Sequence, residues 1–194
     1  MEIIAITEPE FLPREAEAIV SLLDAGAWRV HVRKPGADAA SVSALLEAVP
    51  KRYLSRISLH DCHELAVRYG LGGVHLNSRN PLAPDGFGGL VSRSCHSFEE
   101  ISEYSSSCDY LFLSPVFDSI SKEGYTSRFS LDEIRSRSGA GYSRVFALGG
   151  VCPDNVGLLE EAGFGGAAVL GYLWGPFRHD ADPEGVLHRF MDLV

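Results

Sequence analysis

The chain has 194 residues, enough for one domain with a substantial core. It is 45% hydrophobic and 22% charged, which excludes a disordered chain. Its formal net charge of −9 argues against a nonspecific nucleic-acid binder, while leaving room for local cation clusters that hold phosphorylated small molecules.

Short runs rich in Val, Ile, Leu and Phe predict strands at Ile3–Thr7, Arg29–Arg33, Ile57–Asp61, Gly73–Leu76, Leu90–His96, Tyr110–Ser114, Val145–Gly149 and Ala167–Gly171. Amphipathic helical spacing falls between them, at Glu15–Ala25, Ala39–Val49, His63–Tyr69, Phe98–Tyr104, Leu131–Arg137, Asp154–Ala162 and Pro183–Val194. Ser97-x-x-Glu100 and Ser130-x-x-Glu133 have the form of capping boxes, and Gly26, Gly70, Gly139 and Gly163 stand where helices should stop. Pro81–Gly89 shows no helical pattern and is expected to replace the fourth helix with a loop. Eight strands alternating with helices, and no linker, predict an α/β fold: a single TIM (β/α)8 barrel domain over residues 1–194. A doubly wound open sheet is the runner-up, but Thr7-Glu8-Pro9-Glu10 is not the glycine-rich turn such a sheet carries after its first strand.

No apolar stretch approaches the length of a membrane span, and the N-terminus reads as a strand rather than a signal peptide. Cys62, Cys95, Cys108 and Cys152 are widely separated, which suits reduced thiols in a cytoplasmic protein and no zinc site.

Polar chemistry gathers at the strand ends, where a barrel builds its active site. His31, His60, His75 and His96 each stand near the end of a strand-like run. Ala147-Leu148-Gly149-Gly150 closes strand seven and Val169-Leu170-Gly171 closes strand eight. Glycines after these two strands suit a phosphate held by backbone N–H groups, with ordinary tight turns as the alternative. The loop Ser114–Tyr125 carries Ser119, Ser121 and Lys122, either an anion cradle or a solvated loop. Arg33-Lys34 places two cations at the mouth, to be satisfied by a substrate phosphate or by a carboxylate such as Asp61. His60-Asp61-Cys62-His63 does not suit a transition metal, because alternate side chains of a strand end face different ways. Asp61 near phosphates is instead a Mg2+ candidate. His75, with apolar neighbours, is expected to be a packed, hydrogen-bonded barrel residue, and the same reading is open for His31 and His96.

Taken together, several segments resemble the thiamine phosphate synthase family and its relatives, the TenI-type thiazole tautomerases. They are Gly73–Leu76, Ser94-Cys95-His96-Ser97-Phe98-Glu99-Glu100, Asp109–Phe117, Ser119-Ile120-Ser121-Lys122, and Ala147–Val151 with Asn155. The resemblance runs nearly end to end. It implies a TIM barrel that joins an aminopyrimidine methyl pyrophosphate to a thiazole phosphate, giving thiamine phosphate and pyrophosphate. Pyrophosphate departs first, and the thiazole nitrogen attacks the resulting pyrimidine carbocation. By the same resemblance Arg33 grips pyrophosphate, Asp61 binds Mg2+, Ser94 contacts the leaving group and Lys122 holds pyrophosphate. Ser119 and Ser121 contact the thiazole phosphate with Gly149, Gly150 and Gly171.

The chain also departs from the family pattern. His31 and His60 occupy substrate-facing positions where the family has side-chain amides. Pro35 replaces a lysine, with Lys34 adjacent, and Asn77-Ser78 replaces Gly-Gln. Asn80 takes the place of the second Mg2+ carboxylate, so the metal positions carried over are Asp61 and Asn80. The expected partners are phosphorylated small molecules, without nucleic acid or membrane, and a homo-oligomer is left open. Two alternatives accompany this reading: a thiazole tautomerase, using His31 or His60 as acid/base, and a non-catalytic thiazole-phosphate-binding or regulatory paralogue.

Overall fold

The computed structural model describes residues 1–118, 127, 129–137, 142–177 and 182–194. Eight parallel strands close into a barrel in chain order: β1 (Glu2–Ile6), β2 (Arg29–Val32), β3 (Ile57–Leu59), β4 (Gly73–Leu76), β5 (Leu90–Cys95), β6 (Tyr110–Leu113), β7 (Val145–Leu148) and β8 (Gly166–Val169). The closing pair sets Ile3 opposite Ala167 and Ile4 opposite Ala168, which rules out the open-sheet alternative. The helices are α1 (Glu15–Asp24), α2 (Ala39–Ala48), α3 (Glu64–Tyr69), α4 (Phe98–Tyr104), α5 (Leu131–Arg137), α6 (Pro153–Glu161), α7 (Gly171–Trp174) and α8 (Pro183–Met191).

Local signals explain most boundaries. Asp38 caps α2 by accepting from Ser41 N at 2.8 Å. Ser97 caps α4 by accepting from Glu100 N at 3.2 Å. Glu100 reaches past Ser97 to the His96 N–H, at 2.6 Å, rather than closing the expected box. Gly70 ends α3 in the left-handed conformation, φ 64°, that a side chain would oppose. Gly139 lies outside the described residues. Between β4 and β5 no helix forms, as the Pro- and Gly-rich run predicts. The single turn α7 follows β8 where only a strand end was expected, so Gly171 opens a helix instead of closing β8.

Strand alternation sorts side chains into two environments. Outward residues such as Val30, Val32, Ile57, Leu59 and Val74 pack against the helices, where Ile19, Leu22, Leu23 and Leu46 are buried. The inward face divides in two. On β1, β6, β7 and β8, Ile4, Ile6, Tyr110, Phe112, Phe146 and Ala168 form a mainly apolar half. On β2 to β5 the interior is polar, with Arg29, His31, Ser58, His75 and Ser92 all buried and His60 buried just beyond β3. Bulky branched residues usually fill such a barrel, so a polar half marks where its chemistry lies. Among the described residues no helix is long and apolar enough to cross a membrane. All four cysteines are free thiols, and burial pushes the Cys95 thiol up to about 12, which leaves it unreactive.

Candidate active site at the mouth of the barrel

A cavity of about 1060 Å3 opens at the C-terminal ends of the strands. Arg33, His60, Arg79, Arg93, Ser94, His96, Gly149, Gly150 and Gly171 are among its lining residues. In an eight-stranded ring, β3 and β4 stand opposite β7 and β8. The loop after β4, which carries Arg79, therefore faces the loop after β8, which carries Gly171, across the mouth.

The glycine side is shaped by close backbone packing. Gly149 and Gly150 have φ of 99° and 66°, and a Cβ on Gly150 would run into the Asp118 carbonyl and the Phe117 side chain. Their lack of side chains lets the β7 loop lie against the β6 loop, with Val116 N donating to Leu148 O at 3.0 Å and Phe117 N to Gly149 O at 3.1 Å. Asn155 fastens the same turn by donating to Gly150 O and accepting from Cys152 N, each at 2.9 Å. The outcome is a wall of bare backbone, suited to an oxyanion.

Two hydrogen-bonded chains rise through the polar half of the barrel to this cavity. In the first, Arg29 Nε donates to Ser58 Oγ at 3.1 Å, and the Ser58 and Tyr110 hydroxyls meet at 3.4 Å. Tyr110 Oη lies 2.6 Å from His31 Nε2, and His31 Nδ1 lies 2.9 Å from His60 Nε2; with Tyr110 as donor, the His31 proton sits on Nδ1 and is given to His60 Nε2. This order leaves the His60 Nδ1–H as the outer end. In the second, Ser92 donates to Val74 O at 3.3 Å and so accepts from His75 Nδ1–H at 2.9 Å. With that tautomer the His75 Nε2 lone pair accepts a hydrogen bond from the Ser94 hydroxyl at 3.0 Å. Ser94, which lines the cavity, is left to accept from a ligand.

Burial holds all three imidazoles neutral. It drives His31 and His60 well below the usual histidine value, helped by neighbouring imidazoles and arginines. It takes His75 down to about 3, with His63, Arg93 and Arg33 adding repulsion. The three rings offer nitrogens within 4.8 Å of one another, a spacing that invites a metal. However, the His60 and His75 rings stack at 4.1 Å with planes 22° apart, so their in-plane lone pairs run side by side rather than converging. The cluster suits proton-sharing better than metal binding.

The expected site residues separate into groups. Arg33, His60, Ser94, Gly149, Gly150 and Gly171 meet at the cavity. His31 does not: it is fully buried beneath His60 and reaches a ligand only through that ring, which corrects its expected contact with substrate. His75 is packed as expected, whereas His96 is exposed at the mouth, with Nδ1 2.9 Å from Ser114 O. Ser119, Ser121 and Lys122 lie outside the described residues.

Asp61 and Asn80 are brought together, but as partners of each other. Asn80 Nδ2 donates to Asp61 Oδ1 at 3.2 Å and to His60 O at 3.3 Å. Two acceptors on that side fix the amide nitrogen there, so Asn80 faces Asp61 as a donor and not as a metal ligand. Arg79 takes both Asp61 oxygens, Nε to Oδ1 at 2.9 Å and Nη2 to Oδ2 at 3.2 Å. Mg2+ requires open, hard oxygen donors in near-octahedral array. This donor set, with its one carboxylate already paired to a guanidinium, does not fit Mg2+.

Arg79, Arg93 and Tyr110 join the site without having been expected there from the sequence. Arg79 and Arg93 each had a legible signal, since one follows β4 and the other nears the end of β5, the barrel end that carries function. Arg93 also stacks over Tyr104 at 4.2 Å.

Comparison with known proteins agrees with this architecture. The thiamine-phosphate synthase of Prochlorococcus marinus is 26% identical over 182 residues, covering 89% of this chain and 51% of that protein. The chain thus spans about half the length of that relative. The synthase of Serratia proteamaculans is 30% identical over 165 residues, covering 79% of this chain and 77% of its own. The crystal structure of thiamine phosphate pyrophosphorylase from Bacteroides thetaiotaomicron superposes with a TM-score of 0.89 at 36% identity, covering 100% of this chain and 95% of that one. The thiamine monophosphate synthase family profile matches residues 3–173, and the chain belongs to that family.

Proposed function

We propose that this barrel is a thiamine phosphate synthase, a transferase that joins hydroxymethylpyrimidine pyrophosphate to thiazole phosphate. The observation that carries the reading is the cavity itself. The ends of β2, β4 and β5 bring Arg33, Arg79 and Arg93 to it, with His60 and Ser94 in the same sector, and the ends of β7 and β8 bring Gly149, Gly150 and Gly171. A site with two anion-binding sides suits a reaction between two phosphorylated molecules.

In the reaction, the bond from the pyrimidine methylene carbon to the pyrophosphate oxygen breaks, and its electron pair leaves with pyrophosphate. The thiazole nitrogen lone pair then forms the new C–N bond. Negative charge grows on the departing oxygen, and the Arg33 and Arg79 guanidiniums, which line the cavity, would meet it. Preorganised cations lower such a barrier because they need no reorientation as the charge develops. The thiazole phosphate rests against Gly149, Gly150 and Gly171, which holds its nitrogen in line with the carbon. The His60 N–H and the Ser94 oxygen, a fixed donor and a fixed acceptor, orient the pyrimidine between them. Carry-over from the family adds Lys122, Ser119 and Ser121 to the phosphate contacts.

A synthase assay tests the proposal. Protein supplied with both substrates should release thiamine phosphate. Isomerisation of a thiazole carboxylate phosphate without synthesis would favour the tautomerase reading, and tight thiazole phosphate binding without turnover would favour the non-catalytic one.

A further inference from the structure

Asp61 follows β3 and Arg79 follows β4, so adjacent strands deliver both to one sector of the mouth. Arg79 does not arrive there by chance of a flexible arm. Its backbone sits in a turn closed by reciprocal bonds between Asn77 and Asn80, at 3.0 and 3.1 Å. Asn77 Oδ1 accepts from the N–H groups of Arg79 at 2.9 Å and Asn80 at 3.0 Å. Asn77 Nδ2 ties the turn to β3 by donating to His60 O at 2.6 Å. The Asp61 carboxylate, with a side chain only 11% exposed, then grips the guanidinium from behind, while the Arg79 side chain stays 53% exposed and lines the cavity.

A guanidinium has five N–H donors, and Asp61 engages two of its nitrogens. The remaining donors are free to fork an oxyanion. The arrangement therefore does what a carboxylate-anchored divalent cation does: it presents positive charge to a ligand and is held in place by a buried acid. An incoming Mg2+ would have to displace Arg79 from Asp61 and rotate the Asn80 amide away from His60 O. We infer that Arg79 is the resident cation of a diphosphate subsite that works without a divalent metal, with Arg33 as its second guanidinium. This deepens the synthase reading and rests on it only for the identity of the diphosphate's parent molecule.

Calorimetric titration with inorganic pyrophosphate tests the inference, run once in EDTA and once in excess Mg2+. Wild-type protein should bind in EDTA, with an affinity that Mg2+ alters by less than about tenfold. Arg79→Ala should weaken binding in EDTA by about tenfold or more, the scale of a lost charge-assisted bond. Arg79→Ala combined with Asn80→Asp should regain affinity only when Mg2+ is present. Arg79 is half exposed, so these variants should fold, and a thermal melt of each confirms it. Wild-type binding that needs Mg2+, no pyrophosphate binding in either condition, or an Arg79→Ala variant that binds as wild type would each overturn the inference. Product formation that occurs only with Mg2+ would sink this inference and spare the synthase reading. Metal-free pyrophosphate binding with no product would do the reverse.

Discussion

Lys34 Nζ lies 2.6 Å from Glu15 Oε1, and both side chains are 1% exposed. The ammonium also donates to Glu8 O at 2.8 Å and Glu10 O at 2.6 Å, so all three of its donors are used inside the protein. Of the two cations after β2, only Arg33 serves the cavity. Lys34 does not stand in for the family's lysine at Pro35; it pins α1 and the β1 loop to β2. Lys34→Met should therefore destabilise the fold by about 3–5 kcal/mol, because it leaves Glu15 buried and unpaired. The double change Lys34→Met with Glu15→Leu should recover most of that loss. Urea denaturation measures both, and a cost below about 1 kcal/mol for the single change would contradict a structural role.

The imidazole cluster makes stability depend on pH. His31, His60 and His75 titrate below the unfolded histidine value, so the unfolded chain takes up protons first. Stability is then fully present above the unfolded value near pH 6.5 and is lost as pH falls beneath it. Each imidazole still neutral at pH 5 costs about 2 kcal/mol there. Burial raises the Glu15 carboxyl, which works in the opposite direction, since a folded acid that holds its proton gains stability as pH drops. Denaturation of His75→Gln between pH 5 and 7 separates the two contributions. Its slope should be shallower than that of wild type, and an identical slope would show that His75 does not contribute.

Gly150 and Gly157 make a matched pair. Gly150 has φ 66° and backbone against its Cβ position, whereas Gly157 has nothing within 4 Å and sits inside α6. Gly150→Ala should cost about 1–3 kcal/mol and push the β6 and β7 loops apart. Gly157→Ala should stabilise by about 0.5–1 kcal/mol. Thiazole phosphate binding, followed by calorimetry, should weaken in the first variant and hold in the second. Equal binding by both would remove the glycine wall from the phosphate site.

Ser94→Ala deletes the acceptor that the His75 Nε2 bond orients. Turnover should fall about 10²–10³-fold, the usual effect of losing one preorganised polar contact, with little change in melting temperature. Lys122→Ala, at a position carried over from the family pattern, should likewise lower turnover more than stability. Unchanged turnover in either variant would remove that residue from the site.

The barrel was legible because its signals are local. Strand runs, capping serines and the helix-poor stretch before Leu90 place the elements to within a few residues. Among the described residues the α-helix that was missed, α7, is a single turn with no side-chain cap, and the 3-10 segment Lys51–Arg56 likewise lacks one, so neither has a capping signal in the sequence. The site was legible only in part. His31 and His60 look alike in sequence, because both point inward at strand ends, but depth along the barrel axis depends on strand stagger and not on residue pattern. The pairing of Lys34 with Glu15 and of Arg79 with Asp61 joins residues 19 and 18 positions apart, through packing that no local signal reports. That packing decides which cations face the ligand.

On the proposed function, the cavity joins two phosphorylated precursors into thiamine phosphate. The most direct test of that function mixes purified protein with hydroxymethylpyrimidine pyrophosphate and thiazole phosphate, in EDTA and again in Mg2+, and follows both products by chromatography. Thiamine phosphate and pyrophosphate should accumulate in equal amounts, and in EDTA as well as in Mg2+. No thiamine phosphate under either condition, from folded protein, would contradict the account.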